Sequence, residues 1–243
     1  MSRSVFVLAA AAFCLSFAAR SQASVVAIPG LYNTVVNASG VPLPDGTIGD
    51  PHYTLIAVPI GSTQTLRVRT SVGGWPIGPY IGDDNLSTWI GPDDTADLTG
   101  SAGDYVYETQ FNLPTTCVLS TASITGVWAA DNEEIAIYLN NNVVVEPPIA
   151  TVPSGEYVED FHNWSSFTIT SGFQTGINTL DFVVYNEPYN PPSSVDNPTA
   201  LRVEMTGTVD PVAVPEPVSM IFFGTGLVAV GGYMARRRML RKA

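Results

Sequence analysis

Residues 105–113 read YVYETQFNL. Tyr105, Tyr107, Thr109, Phe111 and Leu113 share one side of an extended chain, and Val106, Glu108, Gln110 and Asn112 share the other. A two-residue period with aromatic residues on one side predicts a half-buried strand. The period recurs outward from this stretch. Leu180, Phe182 and Val184 form a second inward row, Leu201, Val203 and Met205 a third, and Ile135, Ile137 and Leu139 a fourth. Asn140-Asn141-Asn142 separates that last row from residues 143–145, and asparagine tolerates positive φ, so a hairpin turn is expected there. Further strands are expected at 25–28, 53–58, 65–70, 123–129 and 167–170, with Trp128 in the core. Helical periodicity is nearly absent between Ser24 and Pro211, where Gly, Pro, Asn and Asp cut the strands apart. The expected fold class is therefore all-β, an antiparallel β-sandwich over residues 24–211.

Charge is distributed unevenly. Between Ser24 and Pro217 stand all 22 acidic residues and three arginines, Arg67, Arg69 and Arg202, a balance of −19 against −12 for the whole chain. Such a surface repels phosphate, which excludes nucleic acid as a partner. Beyond residue 23 the one cysteine is Cys117, so that region can form no internal disulfide and must rest on its core. About 190 residues suffice for one.

The two ends differ from this middle. Residues 218–234 carry no charge and are largely apolar; Arg236, Arg237, Arg238, Arg241 and Lys242 follow. A helix of that length spans about 26 Å, enough for a transmembrane helix, and clustered cations mark its cytoplasmic side. A buried core helix is the other reading. At the N-terminus, Arg3, an apolar stretch over 5–19 and Ser21-Gln22-Ala23 read as a signal peptide, residues 1–23, cut after Ala23.

The order Val214-Pro215-Glu216-Pro217, Gly-containing apolar helix, Arg-rich stop resembles the PEP-CTERM sorting signal, over residues 212–243. The resemblance implies an exosortase, a membrane-embedded transpeptidase-like protease, acting near Pro215, Glu216 and Pro217. Two prolines hold that tripeptide extended outside the helix. Arg236, Arg237 and Arg238 would then fix topology. An ordinary C-terminal anchor with a proline-containing linker is the alternative. Gly224-Thr225-Gly226 with Ala229 satisfies a dinucleotide fingerprint, yet no strand precedes it.

A second resemblance lies in the middle region. Residues 105–113, ADNEEIAIYLNN at 130–141 and SGFQTGINTLDFVVYN at 171–186 are similar to galactose-binding-like jelly rolls. Those occur as accessory modules on glycoside hydrolases and in carbohydrate-binding proteins, which implies a jelly-roll connection of the strands.

Candidate chemistry concentrates in loops. Trp75, Tyr80 and Trp89, with Asp83 and Asp84, offer aromatic faces and carboxylates suited to a pyranose ring. The alternative is that both indoles anchor a long loop onto the sandwich. Asp93, Asp94 and Asp97, and separately Asp131, Asn132, Glu133 and Glu134, offer oxygens for calcium, although neither run matches an EF-hand loop. Glu204 is a further candidate ligand by analogy with related sandwiches. Solvated acids are the alternative, and no metal is assigned. His52 and His162 stand far apart with no spaced partner, so no catalytic constellation is expected.

These readings converge on an exported, non-catalytic surface or extracellular-matrix protein, tethered by its tail until an exosortase acts and associated with exopolysaccharide. A carbohydrate-binding module using Trp75 and Trp89 is the alternative. A glycan-active enzyme, requiring two carboxylates about 5–10 Å apart in a cleft, is a second.

Overall fold

A computed structural model describes residues 24–75, 78, 80–95, 97–147, 158–188, 197–213 and 218–240. The signal peptide with Ala23, the tripeptide Pro215, Glu216 and Pro217, and residues 241–243 lie outside the described residues. In the unit Val25–Pro211, the described residues form strands β1 (Val26–Ala27), β2 (Tyr53–Ala57), β3 (Leu66–Arg69), β4 (Trp89–Pro92), β5 (Thr99–Gly100), β6 (Gly103–Leu113) and β7 (Cys117–Asp131). They continue as β8 (Glu133–Leu139), β9 (Asn142–Val145), β10 (Ser165–Ile169), β11 (Gly176–Asn186), β12 (Asn197–Pro198) and β13 (Ala200–Pro211).

One sheet runs β10-β7-β13-β4-β3, with β1 also on β13; a second runs β2-β6-β11-β8-β9. The named strand pairs are antiparallel. The sheets face each other through the inward rows that two-residue alternation predicts. Phe182 of β11 has its ring centroid 5.6 Å from Trp128 of β7 and 6.0 Å from Phe167 of β10, so one side chain of the five-stranded sheet touches two strands of the other. All three are buried, and each contributes roughly 2–3 kcal/mol by leaving water. Gly126 of β7 permits this close packing. A Cβ there would lie 2.5 Å from the Glu204 carbonyl oxygen and 2.7 Å from the Phe167 ring.

The hairpin between β8 and β9 turns on Asn140 and Asn141, with φ of 53° and 63°, as the asparagine run predicts. Two expectations need correction. Ile135 does not join Ile137 and Leu139 in the core. It is 36% exposed because a bulge opposite Val183 and Val184 breaks the alternation of β8. Trp89 belongs to strand β4 and not to a long loop, pairing with β3 on one side while its strand meets β13 on the other.

Beyond the sandwich, the described residues form an α-helix, α1 (Val218–Leu240), 23 residues long. It does not stop with the uncharged run at Met234 but continues through Arg237 and Arg238, since arginine is a good helix former. Among the described residues no helix is long and apolar enough to cross a membrane. The described residues thus give a helix where the sequence predicts a span, and do not give a span.

Candidate functional site

The loop before β4 does not present its aromatic residues. Trp75 is 5% exposed and Trp89 fully buried, in an apolar cluster with Leu98, Ala129, Phe161 and Ala200. Tyr80 fills the space a sugar would need: its ring stacks on Phe161 at 4.2 Å and meets Trp75 edge-on at 4.3 Å. The Tyr80 hydroxyl donates to Asp131, and Trp89 Nε1 donates to the Ile81 carbonyl at 2.9 Å. Asp83 accepts from the Ser71 amide at 2.6 Å. Asp84 accepts from the amides of Leu86 and Ser87, at 2.7 and 3.1 Å, and pairs with Arg202 at 3.2 Å. Against the upward pull of partial burial, those contacts hold its carboxyl below the ordinary carboxylate range. The two indoles therefore anchor the loop, because burying them against Tyr80 and Phe161 is worth more than displaying them.

Arg202 is the device that sequence reading misses here. It is fully buried, donates through Nε to Ser87 Oγ at 2.7 Å and through a guanidinium nitrogen to the Gly82 carbonyl at 2.5 Å, and lies over the Trp164 ring at 4.9 Å. One arginine thus staples the 81–87 segment onto β13. Glu204, the calcium candidate by analogy, is engaged with it: Glu204 accepts from Ser87 Oγ at 2.7 Å and pairs with Arg202 at 3.3 Å.

The other calcium candidates are dispersed. Asp93 pairs with Arg67, and Asp94 accepts from the Thr63 amide at 2.8 Å, while Asp97 is exposed. Asp131 and Glu134 are buried, and burial pushes their carboxyls up to about 8 and about 9, so both hold protons at neutral pH. Among the described residues no group of three or more His, Cys, Asp or Glu side chains suits a metal ion. His52 stacks on Tyr32 at 3.5 Å, while His162 pairs with Glu159 at 3.3 Å; the two do not share a site.

A different arrangement stands on the outer face of the five-stranded sheet. Alternation places Glu108, Tyr138 and Asp181 opposite the buried rows of β6, β8 and β11. Register then aligns them: Asp181 pairs with Glu108 on one side and with Tyr138 on the other, while Thr54 and Val143 end the row on the edge strands. Directly opposite residues on one face sit about 5 Å apart at Cβ. Asp181 occupies the central strand and is 8% exposed, although it points away from the core. Its Oδ1 is buried and has no hydrogen-bond partner. Burial, and secondarily the Glu108 charge, raises its carboxyl to about 6. Glu108 accepts from Gln110 at 2.8 Å. Val106, Val183 and Tyr185, all half-buried, continue the same surface.

No protein-family model and no curated protein matches the chain. Solved structures similar to it include family 35 carbohydrate-binding modules from Paenibacillus barcinonensis and from Clostridium thermocellum, each at 16% identity. The similarity covers 66% and 76% of this chain and 98% of each module, with TM-scores of 0.30 and 0.29. Values that low decide neither fold nor ligand. The two-sheet arrangement rests on this chain's own strand pairing.

Proposed function

We propose that this chain is an exported, non-catalytic protein of the cell surface or extracellular matrix, and that its sandwich, a galactose-binding-like jelly roll, binds carbohydrate. One observation carries the reading: the outer face of the five-stranded sheet sets a half-buried tyrosine beside a buried carboxylate with an unused acceptor oxygen. A pyranose has C–H faces that suit an aromatic ring and peripheral donors that suit a carboxylate. This face replaces the loop of Trp75 and Trp89, whose rings are already covered. The tail completes the proposal on sequence grounds. Pro215, Glu216 and Pro217 would be recognised by an exosortase-type membrane protease, residues 218–234 would hold the protein at the bilayer, and Arg236, Arg237 and Arg238 would remain cytoplasmic. Release would leave the acidic sandwich among exopolysaccharide.

A glycan array probed with the full chain in detergent, with and without calcium, tests the binding. Tyr138→Ala is expected to weaken the bound glycan at least tenfold, about 1.4 kcal/mol, without moving the melting temperature. An array with no bound glycan, or a Tyr138→Ala variant that binds as the parent does, refutes the proposal. Release of reducing ends from a bound glycan refutes its non-catalytic half.

A further inference from the structure

The five strands of the second sheet contain no lysine, arginine or histidine. The three arginines of the exported region lie on the other sheet, and all are engaged: Arg67 with Asp93, Arg69 with Asp45, Arg202 with Asp84 and Glu204. Asp181 and Glu108 are therefore neighbours with no counter-charge on their own sheet, and one Asp181 oxygen is buried without a donor. An unpaired buried acceptor costs about 1–3 kcal/mol, which a ligand with the right donor would recover. Building on the carbohydrate reading above, we infer that the ligand of this face is an amino-sugar polymer with free amines, its ammonium seated between Asp181 and Glu108 and its ring against Tyr138.

Three physical arguments favour that class over the other glycans. An ammonium brings three donors and a positive charge, so its hydrogen bonds to a carboxylate are about twice as strong as those of a neutral hydroxyl. One group can reach the spare oxygen of Asp181 and still face Glu108, which a single hydroxyl proton cannot do. Uronic-acid or sulfated polymers meet the opposite situation, because a region of net charge −19 repels them before contact. A divalent cation is less suited to the row, since hard cations want six to eight oxygens and the described residues gather no group of three acidic side chains for one. Tyr138 adds what a bare amine would not use, an aromatic surface directly beside the acid pair.

The test is calorimetric titration of the full chain in detergent at low salt with four probes: a glucosamine hexamer, its fully N-acetylated counterpart, oligolysine, and calcium chloride. The glucosamine hexamer is expected to bind at least tenfold more tightly than the N-acetylated one. Asp181→Asn, which keeps shape and removes charge, should abolish that preference. Glu108→Gln, at a half-buried position where folding is not at stake, should reduce it about threefold or more. Asp97→Asn, an exposed acid off this sheet, should leave it unchanged. Equal binding of the two hexamers, lost in Tyr138→Ala, overturns the amine and leaves the carbohydrate reading standing. No binding of either hexamer, together with an empty glycan array, overturns both. Oligolysine binding as tightly as the hexamer, with the same sensitivity to Asp181→Asn, overturns the sugar in favour of a basic protein segment. Calcium binding that Asp181→Asn removes overturns it in favour of a cation site. An Asp97→Asn variant as impaired as Glu108→Gln shows diffuse charge attraction and overturns the seat.

Discussion

Raising the pH from 5 to 8.5 should destabilise the sandwich, and Asp131 is the place to read the effect. Its side chain is 1% exposed at the end of β7, where it accepts the hydroxyl of Tyr80. Burial, outweighing that hydrogen bond, lifts its carboxyl from an ordinary 3.8 to about 8; Glu134, three residues on, rises from 4.5 to about 9 for the same reason. A carboxyl whose folded pKa lies above its unfolded one contributes stability that is complete below the unfolded value, about 4. That contribution is lost as the pH climbs through the folded value. Between pH 5 and the folded value of about 8, three units at about 1.4 kcal/mol each set a ceiling of roughly 4 kcal/mol for Asp131 alone. Relaxation and water entry around the new charge lower this, and about 2–3 kcal/mol is the expected loss. Asp131→Asn keeps an acceptor for Tyr80 and cannot ionise. Urea unfolding at the two pH values, followed by fluorescence of the buried Trp89 and Trp128, gives the comparison. The parent should lose stability at pH 8.5, and the variant should lose about 2–3 kcal/mol less. A parent that is equally or more stable at pH 8.5, or a variant with an unchanged pH dependence, refutes the assignment.

Trp89→Ala should cost about 3–5 kcal/mol of stability, because it empties a fully buried site in β4, while glycan affinity at temperatures where the variant stays folded should match the parent. Lost affinity with intact stability would return the Trp75 and Trp89 loop to the role of ligand face. For the tail, protein released from cells that carry an exosortase is expected to have an intact mass ending before Val218, and Glu216→Ala should keep α1 attached. Released parent protein that still carries Arg237 and Arg238 refutes the sorting proposal.

The inward rows are legible in sequence because a strand alternates its sides strictly. Tyr107, Leu180, Phe182, Val203 and Ile137 all reach the core on that argument alone. Alternation fails where its premise fails. All four residues of β4 are buried, since Ile90 faces the main core while Trp89 faces the second apolar cluster, so the strand shows no polar side. Arg202 is hidden for the same reason: β13 is covered on both faces at that point, and a lone arginine in a strand reads as solvent-facing unless its cover is known. The acid row on the outer face is illegible for another reason. Glu108, Tyr138 and Asp181 each look like an ordinary outward polar residue, and no segment states which residue of a distant strand lies opposite. Register supplies that. Once Phe182 pairs with Tyr107 and with Ile137 in the core, Asp181 must stand between Glu108 and Tyr138 on the reverse side, because a slip of one residue would expose the whole inward row. The buried side of the sheet therefore holds the outer side in place. A core change that shifts β11 by two residues would keep every inward residue inward and still take Asp181 out of the row.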